Sequence, residues 1–276
     1  SFLLEPFNFT EFLEAKEFGT GKNPITDEKQ LKILLDEYLT YGGLPKVVME
    51  DDIPLKRDLL NEYTATYISK DIRHMIVENH VVTFNNLLIF LAKITGSLKN
   101  NSDIQKELGI NHITVNRYLD LLRHTFVVHF LQPYFTNEIT RLKKASKVYF
   151  FDTGVRNSLL SNFASLNQRS DSGALFENVV YLHLLQQYDK NHVFFLRTIS
   201  DNEIDFICQT NEGGLNAYEA KYSQFKIPAI PKGLSMLLDK IHLNNTFVVN
   251  QNLTQKKGRV DFISFRSFVE STGVKL

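Results

Sequence analysis

The spacing of apolar and polar residues changes along this 276-residue chain. From Asp27 onward, apolar residues recur at the spacing of one helix face, which predicts a helix. The sequence Tyr41-Gly42-Gly43-Leu44-Pro45 ends it, because two glycines and a proline do not continue a helix. A second helix is expected from about Pro54 to Ile72. Residues 1–80 are therefore predicted to form a helical region.

The middle of the chain has the order of a helix-turn-helix. An apolar helix is expected from Phe84 to Ile94. Ser102 and Gln105 have the spacing of a capping box, in which Ser102 begins the next helix. Gly109-Ile110-Asn111 would form the turn, followed by a helix from about His112 to Arg123 that buries Val115, Leu119 and Leu122. Strands expected near 126–134 and 147–151 enclose a basic segment, so that residues 81–152 are predicted to form a winged helix-turn-helix.

The last part of the chain, residues 153–276, alternates helical and extended patterns. Helices are expected at Gly173–Gln187 and Pro231–Lys240, and strands at 192–197, 246–250 and 260–265. Strands with intervening helices favour a three-layer α/β/α arrangement. The expected fold class is thus α+β and multi-domain, with an α/β/α domain at the end.

A β-hairpin is predicted within this last part. The segments 202–208 and 215–221 alternate with a period of two, and Asn211-Glu212-Gly213-Gly214 supplies a turn. Asp205 would lie on the face opposite Ile204, Phe206 and Cys208, whereas Glu219 and Lys221 would share a face. Two carboxylates and an ammonium group would therefore meet on adjacent strands.

This grouping resembles the active site of the PD-(D/E)XK (restriction-endonuclease-like) nuclease superfamily. The resemblance implies that Asp205 and Glu219 bind Mg²⁺, with the Ala220 carbonyl as a further oxygen ligand, and that Lys221 assists the attacking water. It also implies an acidic residue on the preceding helix, where Glu177 lies. Glu203 shares the face of Asp205 and could join or replace Asp205. The sequence departs from the pattern in having Ile204 before Asp205. The alternative is an ordinary solvated strand whose Glu-x-Lys forms a salt bridge.

Charge is balanced overall, with 31 basic and 31 acidic residues, but it is unevenly distributed. Residues 81–150 contain nine Lys and Arg against four Asp and Glu, whereas residues 1–80 contain nine against fifteen. The footprint that binding to DNA phosphates needs therefore falls in the middle region. The candidate DNA contacts are His112, Thr114, Asn116 and Arg117 on the second helix and Arg141, Lys143, Lys144 and Lys147 in the wing. The alternative is a winged helix that serves protein packing.

A single cysteine excludes an internal disulfide framework and a Cys-cluster zinc site, and it fits a reducing cytoplasm. No apolar run approaches the roughly 20 residues that span a bilayer, so no membrane partner is expected. The sequence does not predict the oligomeric state.

The order of motifs along the whole chain carries a second resemblance. The motifs are Leu4–Phe12, Tyr41–Pro45, Tyr67–Ile72, Tyr118–Leu122, Lys147–Gly154, Gly173–Glu177 and the hairpin. Their succession resembles the C-terminal portion of a prokaryotic family of predicted AAA+-type ATPases, in which a nuclease-like domain follows the ATPase core and a winged helix. The resemblance implies that an ATPase core of the same full-length protein is a partner.

The chain itself has no G-x-x-x-x-G-K-[ST] sequence, and Gly19-Thr20-Gly21-Lys22 lacks the spacing of that motif. ATP hydrolysis is therefore not expected of these residues, and the start at Ser1 suggests a fragment. Two hypotheses follow from the two resemblances. The region is either a DNA-binding, Mg²⁺-dependent nuclease or a non-catalytic regulatory or nucleic-acid-binding region on a nuclease-like scaffold.

Overall fold

A computed structural model describes residues 5–18, 24–66, 81–125, 127–134 and 145–271, without the side chains of 24–27. The chain divides into two compact units, and each is discontinuous in sequence. The helical unit comprises Ser1–Phe130 and Val148–Ser170, and the sheet unit comprises Leu131–Lys147 and Asp171–Leu276. This division differs from the predicted boundaries at 80 and 152, since each unit takes up a segment expected in the other part.

The helical unit consists mostly of short and medium-length helices. They are α1 (Phe9–Ala15), α2 (Pro24–Tyr41), α3 (Pro45–Val48), α4 (Ile53–Thr66), α5 (Val81–Lys93), α6 (Asn101–Leu108), α7 (His112–His124) and α8 (Thr153–Leu159). Strands β1 (Val128–Leu131) and β2 (Lys147–Phe150) form a two-stranded sheet. The predicted motif at 67–72, the Gly19–Lys22 segment and the wing residues 135–144 lie outside the described ranges.

Helices α6 and α7 follow the predicted order, with one correction at the start of α6. Asn100, not Ser102, caps α6, because the Asn100 side chain accepts a hydrogen bond from the Ser102 amide. Gly109 then ends α6 in the left-handed conformation, with φ of 63°, and Asn111 caps α7 by accepting from the Thr114 amide. The predicted capping box is therefore wrong by two residues, whereas the predicted turn is confirmed.

The same unit contains a close backbone junction around the buried Asp152 carboxylate. Its oxygens accept hydrogen bonds from the Gly43 amide at 2.7 Å and the Val155 amide at 2.8 Å. A side chain at Gly154 would place its Cβ 2.0 Å from the Tyr41 carbonyl oxygen. Burial raises the pKa of Asp152 to about 6, although the backbone donors act in the opposite direction. The motifs around residues 41–45 and 152–154 are thus one structural junction, and this is why α8 belongs to the helical unit.

The sheet unit is built on six strands in the order β3-β4-β5-β6-β8-β7. Its elements are α9 (Ser172–Gln187), β3 (Val193–Arg197), β4 (Glu203–Gln209), β5 (Leu215–Lys221), α10 (Lys232–Ser235), β6 (Asn245–Asn250), β7 (Gln255–Lys257), β8 (Val260–Ser264) and α11 (Phe265–Glu270). Strands β3, β4 and β5 are antiparallel to one another, whereas β5, β6 and β8 are parallel. The helix expected at 231–240 is shorter than predicted, and β7 was not predicted.

Apolar side chains pack against both faces of this sheet. Tyr181 of α9 stacks on Phe206, with ring centroids 6.0 Å apart. Leu234 of α10 packs in a separate core with Ile207, the neighbour of Phe206 on β4, and neighbouring strand residues point to opposite faces. The molecule is therefore of mixed α and β structure, as predicted.

Along the described ranges, no helix has the length and hydropathy needed to cross a bilayer.

Candidate functional site at the hairpin

The predicted hairpin is confirmed as β4 and β5. Their paired register runs from Phe206 opposite Tyr218 to Gln209 opposite Leu215. The connecting turn closes with a hydrogen bond from the Gly213 amide to the Thr210 carbonyl, and Gly213 has a φ of 82° that favours glycine. Local sequence thus fixes the turn, and the turn fixes which residues of the two strands face each other.

One feature of β4 differs from the prediction. Phe194 of β3 pairs with Ile207, but Leu196 pairs with Ile204, so that a two-residue step on β3 corresponds to a three-residue step on β4. Ile204 and Ile207 consequently lie in the same apolar core, which strict alternation does not allow. The predicted regular alternation of β4 is therefore wrong at this point. Such irregularities redirect side chains and are common beside active sites.

At the end of the hairpin, carboxylate side chains accept hydrogen bonds from backbone amides of the two strands. The Ala220 amide donates a hydrogen bond to Asp205 Oδ2 at 2.9 Å, and the Asp205 amide donates to Glu219 Oε2 at 3.4 Å. Lys221 Nζ lies 2.8 Å from Glu219 Oε1. The structure therefore brings Asp205, Glu219 and Lys221 together, as the sequence indicates.

A second lysine enters the same site. Lys147 Nζ lies 2.5 Å from Glu203 Oε1, 2.8 Å from Glu177 Oε1 and 3.5 Å from Asp205 Oδ1. Its side chain is only 2% exposed, and its ammonium group lies 5.8 Å from the centroid of the Phe195 ring. We call Lys147, Glu177, Glu203 and Asp205 the Lys147 cluster. Glu177 thus lies beside Asp205 as expected, but its carboxylate contacts an ammonium group.

The Lys147 cluster continues outward through Arg197. Arg197 Nη1 lies 3.1 Å from Glu203 Oε2, and Arg197 Nη2 lies 3.1 Å from Asp201 Oδ1. Glu203 therefore contacts a cation through each of its two oxygens.

The electrostatics follow from burial and from these neighbours. Burial raises the pKa of Glu219, and the nearby Asp205 charge raises it further, whereas Lys221 acts in the opposite direction. Burial alone would lower the pKa of Lys147, but Glu177, Asp205 and Glu203 raise it above its ordinary range. Burial also lowers the pKa of Lys221, yet Asp205 and Glu219 raise it overall. Both lysines are therefore charged at neutral pH.

The donor chemistry of the hairpin end suits Mg²⁺ only in part. Asp205 and Glu219 supply carboxylate oxygens, which Mg²⁺ prefers, and Lys221 leaves their combined charge negative. In the part of the chain that the structure describes, no group of three or more His, Cys, Asp or Glu side chains is arranged to hold an ion. Glu177 and Glu203 are bound by Lys147. The fit is thus to the hairpin pair alone, with backbone oxygen or water completing the ligands.

The candidate DNA contacts on α7 lie at its first two turns. His112 and Arg117 are exposed and Thr114 is half-buried. Asn116 is engaged within the unit, because its Oδ1 accepts a hydrogen bond from Asn101 Nδ2 at 3.0 Å and its Nδ2 contacts the His112 ring. Arg141, Lys143 and Lys144 lie outside the described ranges.

The charge and sequence position of Lys147 group it with the wing residues, and its place in the structure corrects that grouping. A side chain that is 2% exposed and bound to three carboxylates does not face a duplex. One sequence signal points to this outcome: Lys147 directly precedes the apolar run Val148-Tyr149-Phe150, and the structure buries all three of these residues. A lysine at the start of a wholly buried strand requires an internal counter-charge. Arg197 was not predicted either.

Comparisons with known proteins place both parts of the chain beside families without an assigned activity. Residues 32–166 match a family model described as a domain of unknown function (DUF8612), and residues 172–268 match another (DUF4143). An uncharacterized protein of Haemophilus influenzae is 29% identical over 81% of this chain and 52% of its own length. One of Methanocaldococcus jannaschii is 29% identical over 73% and 45%, respectively. One of Mycobacterium tuberculosis is 27% identical over 75% and 47%. The chain thus spans about half the length of these relatives.

Proposed function

We propose that this chain is the C-terminal region of an ATP-binding protein of the AAA+ type, and that it binds DNA and hydrolyses phosphodiesters with Mg²⁺ at the hairpin. The observation that carries the proposal is the meeting of Asp205, Glu219 and Lys221 at the end of β4 and β5. Helix α9, which precedes the hairpin in sequence, brings Glu177 to the same place. This is the arrangement that the PD-(D/E)XK resemblance implies.

Two further findings support the ATPase association. The family matched by residues 172–268 is typically found with ATPase domains. The relatives are about twice as long as the matched region, which leaves room in them for another domain of comparable size. On this proposal, the ATPase core would supply the nucleotide chemistry that the present residues lack.

The residues at the hairpin suit the separate tasks of phosphodiester hydrolysis. Asp205 and Glu219 would hold Mg²⁺, which offsets phosphate charge and makes a bound water more acidic. The Ala220 amide and Lys147 each contact one Asp205 oxygen and so orient that carboxylate. Lys221 has a 38% exposed side chain, so its ammonium group can approach a phosphate oxygen or the attacking water.

Cleavage assays on the purified chain test the catalytic part of the proposal. Plasmid, linear, single-stranded and branched DNA would be incubated with Mg²⁺ or Mn²⁺ and each of four variants. Glu219→Ala and Lys221→Ala should abolish cleavage, because they remove a ligand and the substrate-facing cation. The matched controls Glu212→Ala in the hairpin turn and Lys226→Ala after β5 are exposed, and they should cleave like the parent. Cleavage that survives Glu219→Ala would identify a contaminating activity and reject the assignment.

Duplex binding tests the nucleic-acid part separately. We expect binding of the parent to weaken steeply as salt rises, because phosphate contacts release counterions. Arg117→Glu should weaken it, since Arg117 is exposed on α7. The control Arg259→Glu changes another exposed arginine, between β7 and β8, and should have no effect. Salt-independent binding, or equal loss in both variants, would contradict a role of α7 in DNA contact.

The placement of Lys147 favours a second candidate function. A buried ammonium group already neutralises part of the carboxylate cluster, as expected of a nuclease-like scaffold that no longer takes up metal. In that case the region would be a regulatory or nucleic-acid-binding part of the ATPase. Absence of both Mn²⁺ binding and cleavage in the folded chain, with duplex binding retained, would favour this candidate.

A further inference from the structure

The hairpin site contains two lysines in different surroundings. Lys221 contacts Glu219 and has a 38% exposed side chain, whereas the side chain of Lys147 is 2% exposed. Only Lys221 is placed to meet a substrate. The buried lysine therefore needs a different explanation from the one that the Glu-x-Lys pattern provides.

The contacts of Lys147 are unevenly divided among the acidic residues of the site. Its ammonium group is close to Glu203 at 2.5 Å and Glu177 at 2.8 Å, and it is farther from Asp205 at 3.5 Å. Three carboxylates close together, one buried and two partly buried, repel one another strongly unless a cation lies between them. By distance, Lys147 makes its direct contacts with Glu177 and Glu203, whereas Asp205 interacts with it through a longer electrostatic contact.

Asp205 is the residue shared between the two halves of the site. Its Oδ1 faces Lys147, and its Oδ2 accepts the hydrogen bond from the Ala220 amide on the strand that also carries Glu219. Arg197 meanwhile holds the second oxygen of Glu203 from the outer side. Glu219 pairs with Lys221, whose side chain is 38% exposed, so an external cation can reach Asp205 and Glu219 without breaking the two short contacts of Lys147.

We infer that Lys147 is a positioning residue of the hairpin site: it commits Glu177 and Glu203 to an internal ammonium group and thereby directs a divalent cation to Asp205 and Glu219. The inference rests on the proposed function, since it concerns where the cation of that reaction binds. Lys147 acts through Asp205 and touches no substrate. Glu177, although it lies in the site, is not a ligand on this assignment.

Binding of Mn²⁺ measured by electron paramagnetic resonance tests the inference without requiring activity. Lys147→Met should bind Mn²⁺ about tenfold more tightly than the parent, because a unit positive charge a few Å from the ligands is removed. Its DNA cleavage should nevertheless fall by about tenfold or more, since Glu177 and Glu203 then compete for the ion and misplacing a reacting group can reduce rates 100-fold. Lys147→Arg, which keeps the charge, should bind Mn²⁺ like the parent.

The opposite changes in affinity and cleavage separate positioning from stability. The control is Lys56→Met in the helical unit, where a buried lysine pairs with Glu37 at 3.1 Å. It should reduce stability without changing Mn²⁺ affinity. A Lys147→Met protein that binds Mn²⁺ no more tightly than the parent would overturn the inference and leave the proposed function standing. A folded parent that binds no Mn²⁺ would overturn both.

Two milder variants keep the test decisive if Lys147→Met does not fold. Glu177→Gln should weaken Mn²⁺ binding by about tenfold at most, because it removes one negative charge a few Å from the ion. Glu219→Gln should weaken it by a further factor of about ten or more, because it also replaces a preferred carboxylate ligand with an amide. Equal weakening by both variants would make Glu177 a ligand, which contradicts the inference.

Discussion

Two regions of the molecule bury carboxylates, and they neutralise them in different ways. At the Asp152 junction of the helical unit, backbone amides of Gly43 and Val155 donate to the carboxylate. In the Lys147 cluster of the sheet unit, an ammonium group contacts three carboxylates. Backbone donors are fixed by the chain path, whereas charged partners can be exchanged for an ion or a phosphate. The comparison teaches that the first region suits a structural role and the second suits binding and chemistry.

The largest expected effect on stability is that of Lys147→Met, which removes the ammonium group of the Lys147 cluster. Removing one partner of a buried ion pair commonly costs about 3–5 kcal/mol, because uncompensated charge remains. We expect a loss of that size in the free energy of unfolding at pH 7, measured by urea denaturation. A loss below about 1 kcal/mol in the free energy of unfolding would contradict this expectation. It would mean that the three carboxylates do not need the ammonium group for stability.

The next effect concerns the backbone region. Gly154→Ala would place a Cβ 2.0 Å from the Tyr41 carbonyl oxygen, and that oxygen cannot rotate away. We expect a loss of about 3 kcal/mol in the free energy of unfolding, the upper range for overpacking. Gly173→Ala in α9 is the matched control, because nothing lies within 4 Å of its Cβ. Equal stability of the two variants would show that the junction yields easily.

Asp152→Asn tests how much the backbone donors at Asp152 contribute to stability, and its expected effect is smaller. An amide side chain keeps one acceptor oxygen and turns an N–H toward a backbone donor, so we expect a loss of about 2 kcal/mol in the free energy of unfolding. Circular dichroism with urea at pH 7 would measure it. The loss should leave DNA cleavage and Mn²⁺ binding unchanged per folded molecule, since Asp152 lies in the helical unit.

The pH dependence of the same residue provides an independent check. Its pKa is about 6 when folded, above the ordinary 3.8, so the folded state binds a proton more readily than the unfolded state. Its contribution therefore favours folding below pH 4 and is lost as pH rises toward 6, by up to about 3 kcal/mol. Asp152→Asn should remove this pH-dependent contribution. The free energy of unfolding of the parent minus that of the variant should therefore fall between pH 4 and pH 6. A difference that is flat or rises over that range would contradict the assignment.

The smallest expected effect on stability is that of Lys221→Met. Its ion pair with Glu219 joins a 38% exposed lysine to a 7% exposed carboxylate, so we expect its loss to cost about 1 kcal/mol, less than the loss of the fully buried Lys147. Thermal unfolding should hardly change, although cleavage should be lost. The two variants thus differ in their expected effects. Lys221→Met should reduce cleavage alone, whereas Lys147→Met should reduce both cleavage and stability. Comparable stability losses in the two variants would remove that distinction.

The order of elements could be predicted because the signals are local. Gly109 and Asn111 mark the turn before α7, and the alternation of 203–209 and 215–221 with Gly213 between them marks the hairpin. The start of α6 was misplaced because Asn100 and Ser102 are both good caps, and their backbone geometry decides between them. The alternation of residues within β4 does not reveal that Ile204 and Ile207 lie on the same face. That arrangement depends on the irregular pairing of β4 with β3, which is a tertiary contact.

The sequence by itself determined the hairpin and its Asp205, Glu219 and Lys221, since strand period and turn chemistry act over a few residues. Only the tertiary structure decided that Lys147 joins them, because it lies 30 residues before its partner Glu177 and its charge alone suggested a surface role. It likewise decided that the Gly43 amide donates to Asp152 and that Gly154 lies against Tyr41, contacts between segments more than 100 residues apart. Burial, which decides whether a charge is solvated or must be paired, is a property of the whole fold.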